Sequence, residues 1–180
     1  MFATITYLQS GQTTQRRAFR ALSELGILRD LARYRPVLCG TVPISIDVEG
    51  SDLDIIMEVY EPERFKRDVH ALYGMQEAFV YKEKQIRQIP SQKANFSFDG
   101  FAFELFAQPI PVERQHAYLH MLVEHHLLLR HPDIRTKIIN LKKQGIKTEP
   151  AFAQVLGLTG DPYEALLVLG QELGVIAAGL

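Results

Sequence analysis

Apolar and polar residues alternate, or apolar residues run together, in five short segments of the chain. A two-residue period and short apolar runs of this kind predict β-strands. Asp99 and Gly100 separate the last two segments, and an Asp-Gly pair favours a tight hairpin turn. The predicted strands cover residues 37–39, 53–60, 79–89, 94–98 and 101–107.

Elsewhere the apolar positions recur every three or four residues, which predicts amphipathic helices. The first starts at Thr13 or Thr14 as its cap and continues to Leu28, and the second covers residues 63–73 and ends at Gly74. After Pro111 only helices are predicted, at residues 112–130, 134–144, 149–156 and 162–173. The pattern therefore predicts an α/β (α+β) core in residues 1–110 and a helical subdomain in residues 111–180 that packs on it.

The amino-acid composition limits which binding partners and which cellular location are expected. Lys+Arg 20 against Asp+Glu 21 gives a net charge of -1, so no global attraction to nucleic acid or to an anionic membrane is expected, although a local basic rim stays open. Cys39 is the single cysteine, which excludes a disulfide within the chain and fits a cytoplasmic location. The start of the chain lacks the pattern of a signal peptide, and the apolar runs are too short for a bilayer core of about 30 Å.

Asp52 and Asp54 carry the chemistry that the sequence suggests. Side chains two residues apart on a strand share a face, so both carboxylates can reach one cation. Magnesium takes a few carboxylates together with phosphate and water oxygens. Gly40 and Thr41 follow a buried strand and offer close backbone approach, a hydroxyl and amide groups to a phosphate, in a turn or at a helix start. Without that context, Asp-x-Asp is also typical of a solvated surface turn.

Glu104 is a third candidate acid. It lies in an alternating strand and shares a face with Ala102 and Phe106. A carboxylate among aromatic residues is neutral, faces solvent, or pairs with a cation, because burial without a partner raises its pKa. An ordinary sheet-surface glutamate is the alternative interpretation.

These residues form a recognisable pattern. Gly40-Thr41, nine further residues and Ser51-Asp52-Leu53-Asp54 resemble the Gly-Ser and Asp-x-Asp signature of the DNA polymerase beta-like nucleotidyltransferase superfamily. More of the chain resembles a small bacterial family within that superfamily, classed as a domain of unknown function. The similar segments are residues 40–44, 51–55, 108–109, 111–113, 120–121, 147–153 and 160–163.

The resemblance implies a nucleotidyltransferase-like mixed sheet with flanking helices, a helical C-terminal part, and transfer of a nucleoside monophosphate from a triphosphate (NTP) to an acceptor. The acceptor group would be a hydroxyl or phosphate of a small molecule or protein, with nucleic acid not expected. Residue by residue, Gly40, Thr41 and Ser51 would contact the triphosphate. Mg²⁺ would be bound by Asp52, Asp54 and Glu104, and Glu104 could instead act as general base.

One segment departs from the commoner superfamily pattern. Pro43, Ile44 and Ile46 stand where basic or small residues are frequent. This departure motivates an alternative function, a catalytically degenerate module of the same fold that senses nucleotides or binds a partner.

Other polar residues are weaker candidates. Lys84, Arg87 and Lys93 could contact the outer phosphates, and Lys142, Lys143 and Lys147 form a small basic cluster that suits a phosphate-bearing acceptor. For all six a solvated surface position is the simpler interpretation.

A face of the predicted helix 112–130 and the closing helix leave further options. His116, His120 and Glu124 lie at four-residue intervals and share one helix face. Zinc binding and contact with the acceptor are two hypotheses for this face, and plain packing or solvation is the third. Leu166, Leu167, Leu169 and Leu173 favour a closing helix that packs on the core or serves a homodimer.

Overall fold

Residues 2–177 are described by a computed structural model. Five strands form one mixed sheet in the order β1-β2-β5-β4-β3. β2 and β5 are parallel, and the other three neighbouring pairs are antiparallel. The strands are β1 Val37–Cys39, β2 Leu53–Glu58, β3 Glu77–Ile86, β4 Ile89–Phe98 and β5 Phe101–Gln108.

Seven α-helices flank the sheet within these residues, and three short 3-10 turns connect elements at Thr6–Ser10, Ala32–Tyr34 and Val112–Arg114. The predicted fold class, a mixed α/β sheet with flanking helices, is confirmed. The helices are α1 Thr13–Leu25, α2 Ile27–Asp30, α3 Pro62–Tyr73, α4 His116–Arg130, α5 Ile134–Lys143, α6 Thr148–Leu156 and α7 Pro162–Glu172.

The two faces of the sheet belong to two hydrophobic clusters. On one face, Ile55 and Phe103 are fully buried in a cluster that also holds apolar residues of α1 and α3. On the other face, Ile56 and Phe106 pack with apolar residues of α4 to α7. Because side chains alternate along a strand, the residues next to Ile55 and Phe103 must point towards this second cluster.

The first helix is interrupted where the sequence pattern predicted continuity. Gly26 adopts a left-handed conformation with φ of 70°, ends α1 and precedes the short α2. The cap is Gln12, and Thr13 and Thr14 already lie inside the helix, because the side chain of Gln15 accepts a hydrogen bond from the Gln12 amide. The predicted cap was therefore wrong by one to two residues.

The predicted strand 79–89 extends too far, because residues 79–86 belong to β3 and Ile89 already begins β4. β3 and β4 are joined through Arg87 and Gln88, whose φ angles of 52° and 64° are typical of a two-residue turn. Neither residue is a usual turn former, so the sequence carried no signal for it.

Helix α4 starts later than predicted. Gln115 is extended, with ψ of 138°, and separates the turn Val112–Arg114 from α4. Its side chain donates hydrogen bonds to Met57 O at 2.8 Å and to Ile110 O at 3.1 Å, which ties the helix start to the end of β2. The predicted division at residues 110 and 111 stays a prediction. Among residues 2–177, no helix is both long and apolar enough to cross a membrane.

Replacing Phe103 tests the buried face of the sheet. Phe103 is fully buried and stacks on Phe96 with a centroid distance of 5.1 Å. We expect Phe103→Ala to lower the free energy of unfolding by about 3–5 kcal/mol through lost burial and a cavity. Urea denaturation measures the change, and Met75→Ala, at a 99% exposed position, should shift it by less than about 0.5 kcal/mol. A similar small effect of Phe103→Ala would contradict this packing.

Candidate metal and nucleotide site

Three carboxylates converge at the start of two neighbouring strands. The parallel register pairs Asp54 of β2 directly with Glu104 of β5, and Asp52 stands two residues before Asp54. One carboxylate oxygen from each residue lies within 4.8 Å of the others. All three side chains are partly buried on the face of the sheet towards α4. Such a set of oxygen ligands suits a hard divalent cation such as Mg²⁺.

A positive charge beside the three acids would stabilise their ionised forms. Burial, with the nearby charges of Asp52 and Glu104, raises the pKa of Asp54 to about 7. Burial also raises the pKa of Asp52, although a hydrogen bond from its own backbone opposes this. Lys93 Nζ lies 2.5 Å from Glu104 Oε2 and supplies one positive charge. A divalent cation would add the charge needed to keep all three acids ionised.

Gly40 allows Asp54 to occupy its position. The antiparallel register places Cys39 opposite Asp54, and Gly40 follows with φ of 79°. A Cβ atom at Gly40 would collide with Asp54 Oδ2. A side chain at residue 40 is therefore opposed both by the backbone conformation and by the carboxylate.

The segment after Gly40 is a turn held by side chains from two helices. Gln15 Nε2 donates to Val42 O and Pro43 O, at 3.0 and 3.2 Å. Arg135 donates to the carbonyls of residues 44 and 45 at 2.8 and 2.9 Å. No helix begins here, so of the two arrangements considered for this segment the structure has the turn.

The unusual apolar residues of this turn have a structural role. Pro43, Ile44 and Ile46 are buried, and both isoleucines belong to the cluster formed with α4 to α7. They do not line the cleft beside the acids, whereas Gly40, Thr41 and Ser51 do. Their apolar character therefore serves packing and does not remove phosphate contacts.

A cleft of about 410 Å³ opens over the three acids. Its opposite wall comes from α4, α5 and α6 and carries the helix face predicted from the four-residue spacing. That wall includes His116, His120, Met121, Glu124, Lys142, Thr148 and Glu149. Sequence reasoning missed Glu149 and Thr148 as site residues, although the family resemblance at residues 147–153 was a signal.

The three side chains predicted to bind the outer phosphates lie in different places. Arg87 lines the cleft, Lys93 pairs with Glu104, and Lys84 is exposed outside the cleft lining. Lys142, considered only as part of a basic cluster, is partly buried in the cleft, and this burial lowers its pKa.

The histidines of α4 do not form a zinc site with Glu124. His116 Nδ1 accepts a hydrogen bond from Arg87 at 2.7 Å, and burial lowers the pKa of His116. His120 Nε2 lies 3.0 Å from Tyr163 O. Within residues 2–177, the set of three or more converging metal-ligating side chains is the one formed by the three acids.

Sequence comparison places the chain in a family. The family described as "Domain of unknown function (DUF4269)" matches residues 20–169. No curated protein matches the chain.

The fold is similar to that of nucleotidyltransferases of known structure. A Cid1 poly(U) polymerase is 16% identical with a TM-score of 0.53, and the match covers 78% of this chain and 46% of that chain. Cid1 bound to MgATP gives the same identity and TM-score over 78% and 48% of the two chains. GLD-2 in complex with RNP-8 is 15% identical with a TM-score of 0.55, over 89% and 64%. The chain thus spans about half the length of the Cid1 polymerases, and these likenesses show the fold alone.

Gly40→Ala tests the close approach of the backbone to Asp54. We expect the substitution to displace the carboxylate and weaken Mn²⁺ binding about tenfold or more, since the loss of one ligand costs at least about 1.4 kcal/mol. Titration followed by electron paramagnetic resonance measures the affinity. Gly160→Ala is the matched control, because Gly160 has φ of 88° and open space around its Cβ position. Equal Mn²⁺ affinity in the two variants would contradict the collision.

The raised pKa of Asp54 predicts a pH dependence of stability. Between pH 3.8, the ordinary pKa of an aspartate, and about pH 7, the unfolded state binds fewer protons than the folded state, so this group makes the free energy of unfolding fall as pH rises. Without metal, Asp54→Asn should be more stable than the unmodified protein at about pH 8, with a smaller difference at about pH 5. Urea denaturation with a chelator measures both, and exposed Glu172→Gln should show no such trend. A pH-independent difference would contradict the raised pKa.

Proposed function

We propose a nucleotidyltransferase function for this chain, which belongs to the family described as a domain of unknown function, DUF4269. The convergence of Asp52, Asp54 and Glu104 beside Gly40 is the observation that carries the proposal. The chain would transfer a nucleoside monophosphate from an NTP to a hydroxyl or phosphate of a small molecule or protein. The fold it shares with a polymerase solved with MgATP supports this choice.

The three acids fit Mg²⁺ as ligands, because each offers an anionic oxygen towards one point. Bound there, Mg²⁺ would neutralise charge on the phosphate oxygens during in-line attack on the α-phosphorus. Asp52 and Asp54 would hold the metal. Glu104 would be the third ligand, or would accept the proton of the attacking hydroxyl.

The triphosphate would lie along residues 40 and 41 and Ser51. Thr41 and Ser51 line the cleft with their hydroxyl-bearing side chains partly buried. Gln15 and Arg135 bind the carbonyls of the turn and so hold its backbone in place beside residues 40 and 41. Lys142 and Arg87 both line the cleft and would bind the outer phosphates.

Net charge supports the proposed kind of acceptor. The structures similar to this chain include an RNA terminal U-transferase. This chain has a net charge of -1, whereas binding to a nucleic-acid backbone requires a cluster of lysine and arginine residues. We therefore keep a small molecule or a protein as acceptor, with a cytoplasmic location and a homodimer as further parts of the proposal.

A second candidate is a degenerate module that binds nucleotide without turnover. The ion pair between Lys93 and Glu104 favours it, because an ammonium group that neutralises one acid can replace part of the charge of a metal. The burial of Pro43, Ile44 and Ile46 speaks against it, since the departure that suggested degeneracy is explained by packing. Calorimetry separates the two functions: tight nucleotide binding without pyrophosphate release favours the module.

Asp54→Asn tests the proposed transfer. Incubation with Mg²⁺, each of the NTPs and a metabolite extract should release pyrophosphate, and the substitution should reduce the rate at least about a hundredfold, because metal stabilisation amounts to several kcal/mol. Exposed Glu24→Gln should retain the rate. No release with any NTP, or equal rates for Asp54→Asn and the unmodified protein, would overturn the proposal.

A further inference from the structure

Glu124 is the most deeply buried acid in the wall of the cleft that faces the metal ligands. It lies on α4, is 3% exposed, and lines the cleft. Among the described residues it has no hydrogen bond and no ion pair within 4.0 Å. Burial raises its pKa well above the usual value, and the charge of Glu149 adds to this effect. Burying an acid without a hydrogen-bond or ion-pair partner costs free energy. A ligand bound in the cleft would supply that partner.

Glu149 of α6 completes an acidic pair at this end of the cleft. Its side chain is 22% exposed and lines the same cavity. Its one nearby partner is His120 Nδ1, at 3.6 Å, while Nε2 of the same ring lies against Tyr163 O. The charge of Lys142 opposes the rise in the pKa of Glu124, so this lysine offsets part of the negative charge. Its ammonium group forms no ion pair within 4.0 Å with either acid among the described residues and donates to Thr148 Oγ1 at 3.1 Å.

The proposed transfer of a nucleotide does not account for these two acids. Carboxylates repel the triphosphate, so the pair would weaken nucleotide binding if it had no other role. A second divalent metal does not account for them either, because Glu124 and Glu149 belong to no converging set of three ligands in the described chain. A positively charged organic group is the ligand that suits both acids.

We propose that Glu124 and Glu149 bind an ammonium group of the acceptor, so that the acceptor is a small hydroxyl compound that also carries an amine. This inference rests on the proposed nucleotidyltransferase function. Carboxylates bind an ammonium group through charge-assisted hydrogen bonds, which need no octahedral arrangement. Apolar side chains that line the same cleft would contact the carbon skeleton, and they are Ile86, Ile89, Phe106 and Met121.

Glu124 and Glu149, which we call the amine subsite, would orient the acceptor in the cleft. The metal ligands come from β2 and β5, and the acidic pair comes from α4 and α6 on the opposite wall. An amine held by the pair would leave the other end of the acceptor free to point its hydroxyl towards the metal ligands. Such orientation lowers the entropic part of the barrier.

Matched pairs of amines and neutral alcohols test the subsite. Ethanolamine, serinol and glucosamine are compared with ethylene glycol, glycerol and glucose by ligand-observed NMR, with and without Mg²⁺ and a non-hydrolysable ATP analogue. We expect the protein to bind the amines in preference to their neutral counterparts. Glu124→Gln should weaken amine binding about tenfold or more, as expected when one member of a buried charged hydrogen-bonded pair is removed.

Controls separate the subsite from the rest of the site. Glu124→Gln should not weaken the affinity for the Mg²⁺-bound ATP analogue, and Glu172→Gln, on the exposed side of α7, should change neither affinity. Glu149→Gln is a second, partly exposed variant that should weaken amine binding if Glu124→Gln does not fold. Equal binding of amines and neutral alcohols, or no binding of either, overturns the inference. Failure of the ATP analogue to bind counts against the proposed function. In that case, amine binding measured without nucleotide still tests the subsite.

Discussion

The parallel pairing of β2 with β5 is the constraint on which the site depends. This register sets Asp54 opposite Glu104, and a shift by one residue would move both acids to the other face. Packing on the opposite face of the sheet fixes this register, because Ile55 and Phe103 are fully buried there against α1 and α3. The hydrophobic core thereby determines which way the carboxylates point.

Two local constraints meet at one place in the site. Burial and repulsion raise the pKa of Asp54, and the backbone of Gly40 directly beside it has the left-handed conformation that favours glycine. Neighbouring elements hold this arrangement, since Gln15 from α1 and Arg135 from α5 both bind the turn that follows Gly40. The N-terminal and C-terminal helices thus meet at the segment to which we assign the triphosphate.

Two groups of acids and several apolar residues line the cleft. The metal ligands come from the sheet, and Glu124 and Glu149 come from α4 and α6. Burial raises the pKa of Asp54 and of Glu124, which is typical of acids in functional sites. In the proposed function, a Mg²⁺-bound nucleotide and an amine-bearing acceptor would place positive charge beside these acids.

The sequence by itself determined the strand that carries Asp54 and follows Asp52, the mixed α/β class, and the shared face of His116, His120 and Glu124, because these follow from local periodicity. The turn at Arg87 and Gln88 was missed, since neither residue carries a turn signal. Only the tertiary structure decided that Glu104 meets Asp54, that Ile44 and Ile46 belong to the core, and that Glu149 and Lys142 line the cleft. Such contacts join residues far apart in the chain, and they depend on strand order and helix packing, which no local pattern encodes.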